Sequence, residues 1–276
     1  MKKIKEIITS RNDNPDVSII VFTYNHGNYI EHCLNSILEQ ETNFSVEIII
    51  HDDCSTDSNQ KKINNLLSEK FKNVIKIYQK ENQLSKNKNV TQELFNKCKG
   101  KYISWIDGDD YWVGNLRIEK MVSFLEINPE YSMAFHDVYS FSNEDQTLKP
   151  FNEDKSKKDY TANDLLNGSF CYLLMGNMCL RNIKLDFPGE FYLVRNNDMF
   201  IPLFWGKHGG AKYLPEAGIL GYRVHENGYW SGVNQREKQI EQVITGLQLV
   251  SFHLRNRNIN AAIGHAKIRL APLFNS

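Results

Sequence analysis

Tyr102-Ile103-Ser104-Trp105-Ile106-Asp107-Gly108-Asp109-Asp110-Tyr111-Trp112 is the stretch around which the rest of the chain is arranged. Its apolar start predicts a buried strand, and the strand ends in three carboxylates packed around Gly108. No core absorbs such charges unpaired. Carboxylate oxygens suit a hard divalent ion such as Mg2+ or Mn2+, and an ion that keeps open positions can hold phosphates. Asp and Gly also build surface turns, so the tetrad by itself leaves both readings open. A calcium loop is excluded. Tyr111 and Trp112 stand where that motif needs a ligand and a glycine, and Ile118 stands where it needs a glutamate.

Upstream, Val17 to Phe22 predicts another buried strand, with Thr23-Tyr24-Asn25-His26-Gly27-Asn28 as the turn leaving it. Ile30, Cys33, Leu34, Ile37 and Leu38 recur at helical spacing, which predicts a helix from Asn28 to about Gln40. A strand at Val46–Ile50 completes a βαβ unit and ends in His51-Asp52-Asp53-Cys54-Ser55-Thr56-Asp57. Thr56 or Asp57 is expected to cap the helix carried by Ile63, Leu66, Leu67 and Phe71. Val74–Tyr78 predicts a third strand, and Val90, Leu94, Phe95 and Cys98 a helix leading into the opening stretch. Strands alternating with helices at this spacing predict an α/β fold with a mostly parallel central sheet flanked by helices. Ligands of such sheets bind beyond the carboxyl ends of the strands. Thr23–Asn25, Asp52-Asp53 and Asp107–Asp110 all lie at such ends, so three turns should converge on one crevice.

Downstream, Leu116 to Leu125 predicts a helix closed before Pro129, and Met133–Phe141 a single strand. Asn143–Asp159 is a charged, Lys-rich loop dividing the chain. Beyond it a short helix is expected at Asp164–Asn167. Asn197-Asp198 should open an apolar helical run through Trp205, and Gly218–Val224 should form a strand ending at His225. Gln235 to about Arg257 carries apolar residues at helical spacing and predicts a C-terminal packing helix.

The 33 basic and 33 acidic side chains balance, which gives no basic surface for a nucleic-acid partner. Five cysteines without a Cys-x-x-Cys pair fit reduced thiols in a cytoplasmic protein. The first residues lack the apolar run of a signal peptide, and no apolar run reaches the roughly 18 residues of a membrane-crossing helix. Arg255, Arg257, Lys267 and Arg269 leave room for peripheral contact with anionic lipid at the inner face of the cell membrane.

Taken in order, Val17–Asn25, Glu47–Asp57, Ile106–Asp110, Asn197-Asp198 and Tyr222–His225 resemble the family 2 glycosyltransferases, which have the Rossmann-like GT-A fold. Together these motifs span about residues 17 to 230. The resemblance implies a single domain over residues 1–276. Within it, about 15–140 would bind the nucleotide sugar, about 160–230 the acceptor, and about 235–276 would form a C-terminal helical segment. It also implies inverting transfer of a sugar from a nucleoside diphosphate donor, UDP or dTDP, to an acceptor hydroxyl of a cell-surface or lipid-linked glycan, with Mn2+ or Mg2+.

On that resemblance Thr23, Tyr24 and Asn25 lie along the base and ribose, and Asp53 accepts from the uracil or thymine ring. Asp107 and Asp109 are the acids of the Asp-x-Asp signature, with Asp109 the first choice for the metal. Asp110 contacts metal, ribose or sugar. Asp198 matches the position of the general base, its alternative being a helix cap. A helix start there would favour the ionised form. Many relatives carry Glu before this Asp, whereas Asn197 stands here. His225 matches a histidine that reaches the metal or the phosphates in some relatives; a hydrogen-bonded surface role is its alternative. Arg223, and Lys86 or Lys88, are candidates to pair with phosphate, against a solvated default. Trp112, Trp205 and Trp230 offer a sugar platform or core packing, with packing favoured for Trp205. Two other classes stay open: a nucleotidyltransferase, which lacks its usual Gly- and Lys-rich phosphate loop here, and a non-catalytic nucleotide-sugar-binding module.

Overall fold

The computed structural model describes residues 1–86, 90–151, 159–170 and 173–270. Its centre is a seven-stranded sheet. In chain order the strands are β1 (Val17–Thr23), β2 (Val46–Asp52), β3 (Val74–Tyr78) and β4 (Tyr102–Asp107), all mutually parallel where they pair. Past the short strand β5 (Tyr111–Val113), the large sheet continues with β6 (Tyr131–Phe135). Next along the chain are β7 (Asp137–Ser142), β8 (Met178–Arg181), β9 (Gly210–Tyr213) and β10 (Ile219–Val224). Across the large sheet the order is β9-β6-β8-β4-β1-β2-β3, and β8 alone runs antiparallel to both neighbours.

Both faces of this sheet are dry, which is why its central strands read as continuous apolar runs. Alternate residues of β1 face opposite sides. Ile19 and Val21 join Ile48 and Ile50 under the helices α1 (Ile30–Leu38), α2 (Asn59–Leu66) and α4 (Arg117–Ile127). Ile20, Ile49 and Trp105 face α3 (Thr91–Lys97) and the aromatic residues Phe187, Phe191, Phe204 and Trp205.

A second, four-stranded sheet joins Lys149–Pro150, β7, β10 and β5. The sequence pattern did not separate it from the first. The single strand expected at Met133–Phe141 is two strands, and the chain passes from one sheet to the other at His136. There the His136 N–H donates to Asn177 O at 3.3 Å and the Asn177 side chain donates to His136 O at 2.7 Å, so the bend is hydrogen-bonded on both sides. Of the two expected caps, Asp57 serves the start of α2: Ser58 is the residue before the helix and its side chain does not cap, while the Asp57 carboxylate accepts from Asn59 N–H at 2.9 Å and Gly27 N–H at 2.7 Å. The charged loop expected at Asn143–Asp159 is described to residue 151 and from 159, with Lys149–Pro150 paired to β7; the rest lies outside the described residues.

The second half adds α5 (Ala162–Leu166), α6 (Ile201–Gly206), α7 (Gln235–Arg255) and α8 (Ile259–Leu270). The Asn234 side chain caps α7, accepting from Glu237 N–H at 2.9 Å. Phe252 of α7 packs edge-on against Phe200 and Phe204, with ring centroids 6.0 and 5.8 Å away. Among the described residues no helix is long and apolar enough to cross a membrane.

Candidate active site

The register of the large sheet sets Thr23 opposite Asp52 and Phe22 opposite Asp107, so the turns leaving β1, β2 and β4 abut. Main-chain hydrogen bonds extend past the strand ends, from Asp53 N to Thr23 O at 2.9 Å and from Gly108 N to Phe22 O at 2.8 Å. Asn25 and Cys54 turn the chain with positive φ of 54° and 69°. Asn25 ties its turn to the next one, its N–H donating to Ser55 Oγ and its side-chain oxygen accepting from Thr56 N–H, both at 2.8 Å. Gly108 is required by proximity: a Cβ there would stand 2.7 Å from Thr23 Oγ1. Of the three residues expected along the base, Thr23 is buried with its hydroxyl on Asn59, Asn25 is spent on the neighbouring turn, and Tyr24 is exposed.

The acids beyond β4 are crowded and little hydrated. Asp107 accepts from Trp105 Nε1 at 2.9 Å, yet burial and then the charge of Asp109 push its pKa up to about 7. Asp110 lies deeper, and burial followed by Asp109 and Asp107 holds its carboxyl well above the usual range. Asp109 is the exception. Burial raises it, but His26 and His225 outweigh that and keep it below the ordinary carboxylate value.

The small sheet delivers the opposite wall. β10 pairs antiparallel with β5, the strand that directly follows the acids. Arg223 N–H donates to Asp110 Oδ1 and Arg223 Nε to Asp109 O, each at 2.9 Å, while the guanidinium also donates to Asn143 Oδ1 at 3.1 Å. The rings of Tyr29 and Phe141 each lie 4.4 Å from that guanidinium, which with its hydrogen bonds rests against the acidic turn as a brace. His225 Nε2 stands 2.9 Å from Asp109 Oδ2, and His26 Nε2 stands 3.7 Å from the same oxygen. Unlike His225, His26 has no spacing signal in its turn and becomes visible only where the turns meet.

The other expected residues fall as follows. Asp53 is buried, and its two oxygens accept from Gln83 N–H at 2.8 Å and Leu84 N–H at 3.1 Å, with His51 Nε2 3.7 Å away. Burial alone would raise its pKa, but those partners hold it below the ordinary value. Asp198 sits in a 3-10 turn, Asn197–Met199, that precedes α6 instead of opening it. No helix start therefore stands at Asp198 to favour its ionised form. Its charge contributes last, after burial and the nearer acids, to the raised pKa of Asp107 and of Tyr222. Lys88 lies outside the described residues, and Lys86 pairs with Glu81 on the surface. Trp112 is a packing residue: it is buried, donates Nε1 to Gly176 O at 3.0 Å, and stacks against Arg117. Trp205 is fully buried, as its apolar run suggested, and Trp230 is half-buried beside Lys238.

Residues 18–184 match the model of the family described as "Glycosyl transferase family 2". The chain belongs to that family. An uncharacterised glycosyltransferase of Methanocaldococcus jannaschii is 32% identical over 240 residues, covering 82% of this chain and 77% of the relative. Three uncharacterised mycobacterial proteins, from Mycobacterium bovis and two strains of Mycobacterium tuberculosis, are 26% identical over 226 residues; that alignment takes in 80% of this chain and 63% of theirs. A shorter match, 34% over 110 residues (40% of this chain and 41% of the relative), is to an Escherichia coli enzyme, UDP-Glc:alpha-D-GlcNAc-diphosphoundecaprenol beta-1,3-glucosyltransferase WfaP. Among solved structures, S. aureus TarS with UDP-GlcNAc superposes with a TM-score of 0.60 at 15% identity, covering 85% of this chain and 66% of that one. The mannosyltransferase PcManGT from Pyrobaculum calidifontis, in complex with GDP-Man and Mn2+, gives 0.57 at 15% identity, covering 99% and 81%. At such identities the likeness establishes the GT-A fold.

The family 2 frame makes a divalent ion the group to test against these side chains. Donor atoms held about 2.1 Å from one ion at 90–110° to each other lie about 3.0–3.4 Å apart. The Asp109–His225 distance of 2.9 Å and the Asp109–His26 distance of 3.7 Å bracket that range, and ligand atoms of all three residues fall within 4.8 Å of one another. The surrounding excess of buried carboxylate favours a cation. The residues present fit the ion.

Proposed function

We propose that this chain is a metal-dependent, inverting glycosyltransferase that moves a sugar from a UDP or dTDP sugar to an acceptor hydroxyl. The observation that carries the reading is the meeting of Asp109 with His225, which brings the acidic turn after β4 against the strand end that delivers His225.

In this reading Asp109 and His225 hold Mn2+ or Mg2+, with Asp107 alongside. When bound, the ion neutralises the charge that builds on the leaving diphosphate. Tyr24 faces the base, and Asp53 fixes the Gln83–Leu84 main chain beside it while each oxygen keeps a lone pair for an imide N–H. Arg223 holds the acidic turn in register, through Asp109 O and the Asp110 carboxylate. Asp198 takes the proton of the acceptor hydroxyl as its oxygen bonds to the anomeric carbon. The bond from that carbon to the diphosphate oxygen breaks on the opposite face, which inverts the configuration. A positioned carboxylate base contributes roughly 10²–10⁴-fold.

For the acceptor, the reading is a cell-surface or lipid-linked glycan. It draws on the WfaP likeness and on the exposed apolar side chains Ile240, Leu247, Leu254, Ile259 and Ile263 of α7 and α8, with Arg257 and Lys267 beside them. Such a surface suits peripheral contact with anionic lipid in the cytoplasm.

Incubation with Mn2+ and a panel of UDP, dTDP and GDP sugars tests the activity. Slow release of nucleoside diphosphate, lost on chelation and in Asp109→Ala, is the expected result. Donor binding with no turnover on any acceptor, or pyrophosphate release from a nucleoside triphosphate, would replace the reading with a binding module or a nucleotidyltransferase.

A further inference from the structure

We propose that His26 binds the metal ion directly, completing a two-histidine, one-carboxylate set with Asp109 and His225, and that this set selects a transition metal over Mg2+. The inference rests on the metal–diphosphate reading of the crevice given above. It adds a ligand and a metal preference that neither the motif pattern nor the family match supplies.

His26 is carried by a fixed piece of main chain: its carbonyl accepts from Tyr29 N–H and Ile30 N–H, both at 2.8 Å, at the start of α1. The ring is held much less well. Nδ1 is buried with no hydrogen-bond partner, and Nε2 stands 3.7 Å from Asp109 Oδ2, beyond hydrogen-bond reach. Burying an imidazole this way is costly unless another contact offsets it. An ion shared with Asp109 and His225 would bond Nε2, which has no hydrogen bond to Asp109 and already stands at ligand spacing from it. The His26 and His225 rings meet edge to face with centroids 6.3 Å apart, so both approach the Asp109 oxygen without overlapping. Mg2+ prefers oxygen ligands and retains its waters, whereas imidazole suits the later first-row ions. Two imidazoles and one carboxylate therefore move the preference away from Mg2+ toward Mn2+ and the metals above it in the affinity series.

The test uses the full chain and Mn2+ alone, followed by the loss of the free-ion EPR signal. Wild type should keep its bound Mn2+ in a large excess of Mg2+. His26→Ala should weaken Mn2+ at least about tenfold, the minimum seen when even an outer partner of a ligand is removed. Electron spin-echo modulation of Mn2+ on the unaltered protein should show couplings from two directly bound imidazole nitrogens, a readout that needs no variant to fold. One coupled imidazole, unchanged affinity in His26→Ala, or displacement by equimolar Mg2+ overturns the proposal. Asp109→Ala separates the layers. If it loses Mn2+ while His26→Ala retains it, only the third ligand fails; if both retain it, the metal reading of the crevice fails as well.

Discussion

At the scale of single residues, the proposed function divides side chains that would do chemistry from side chains that hold others in place. Asp198→Asn should leave donor affinity unchanged while transfer falls at least about 10²-fold, measured as separate binding and turnover assays. Undiminished transfer would move the base elsewhere. Arg223→Met should behave differently. It removes the donors to Asp109 O and Asn143 and leaves the rings of Tyr29 and Phe141 without their cation, so Mn2+-dependent donor binding should weaken before any effect on the chemical step is resolved. Equal loss in kcat at unchanged donor affinity would contradict the bracing role. The acids at 107, 109 and 110 stood out in the sequence as three carboxylates at a strand end, although a surface turn was equally open until the ends of β1 and β2 were set beside them. His26 was not, since a lone histidine in a polar turn carries no pattern. Arg223 was legible as a cation, but its contacts with the rings of Tyr29 and Phe141 were not, because both are remote from it in sequence.

Elements set how firmly those residues are presented. Gly108→Ala should push the acidic turn off β1, because the new methyl would meet Thr23 Oγ1 at 2.7 Å and Thr23 Cβ at 2.8 Å. The expected result is a folded protein with lost metal-dependent nucleotide binding, read by circular dichroism beside calorimetry. Behind the turn, α4 inserts Arg117 beneath it. That guanidinium donates to Ser104 Oγ at 2.6 Å, His136 Nε2 at 2.7 Å and Met178 O at 2.8 Å, which links β4, β8 and the crossing between the two sheets. His136 must be neutral to accept, and burial and then Arg117 hold its pKa well below the ordinary value. A histidine depressed in the folded state contributes stability that is present above its unfolded pKa of about 6.5 and is lost as pH falls below it. Urea unfolding of the wild type should therefore weaken more steeply between about pH 6.5 and 5 than unfolding of His136→Gln, whose amide oxygen still accepts. Parallel curves would show that His136 titrates normally. The strand–helix alternation up to β4 was readable from periodicity. The crossing at His136 was not, because Met133 to Phe141 keeps a strand-like pattern straight through it and only Asn177, far along the chain, marks where the backbone turns away.

For the molecule as a whole, the C-terminal hairpin of α7 and α8 packs Leu249 and Phe252 inward and leaves Ile240, Leu247 and Leu254 facing out. A doubly substituted Leu247→Glu, Leu254→Glu chain should retain donor hydrolysis and lose co-sedimentation with anionic vesicles. Failure of the wild type itself to sediment would remove the lipid contact from the reading. The outward stripe could not be read from periodicity, which marks apolar positions without saying which of them the body covers. The small sheet has a further consequence. Asp109 enters β5 and His225 leaves β10, and those strands are joined by main-chain hydrogen bonds although the two residues are 116 positions apart. Their separation is thus indifferent to the length and composition of what lies between, including the segments that would meet an acceptor. Changes in those intervening segments would therefore leave the spacing of Asp109 and His225 as it is.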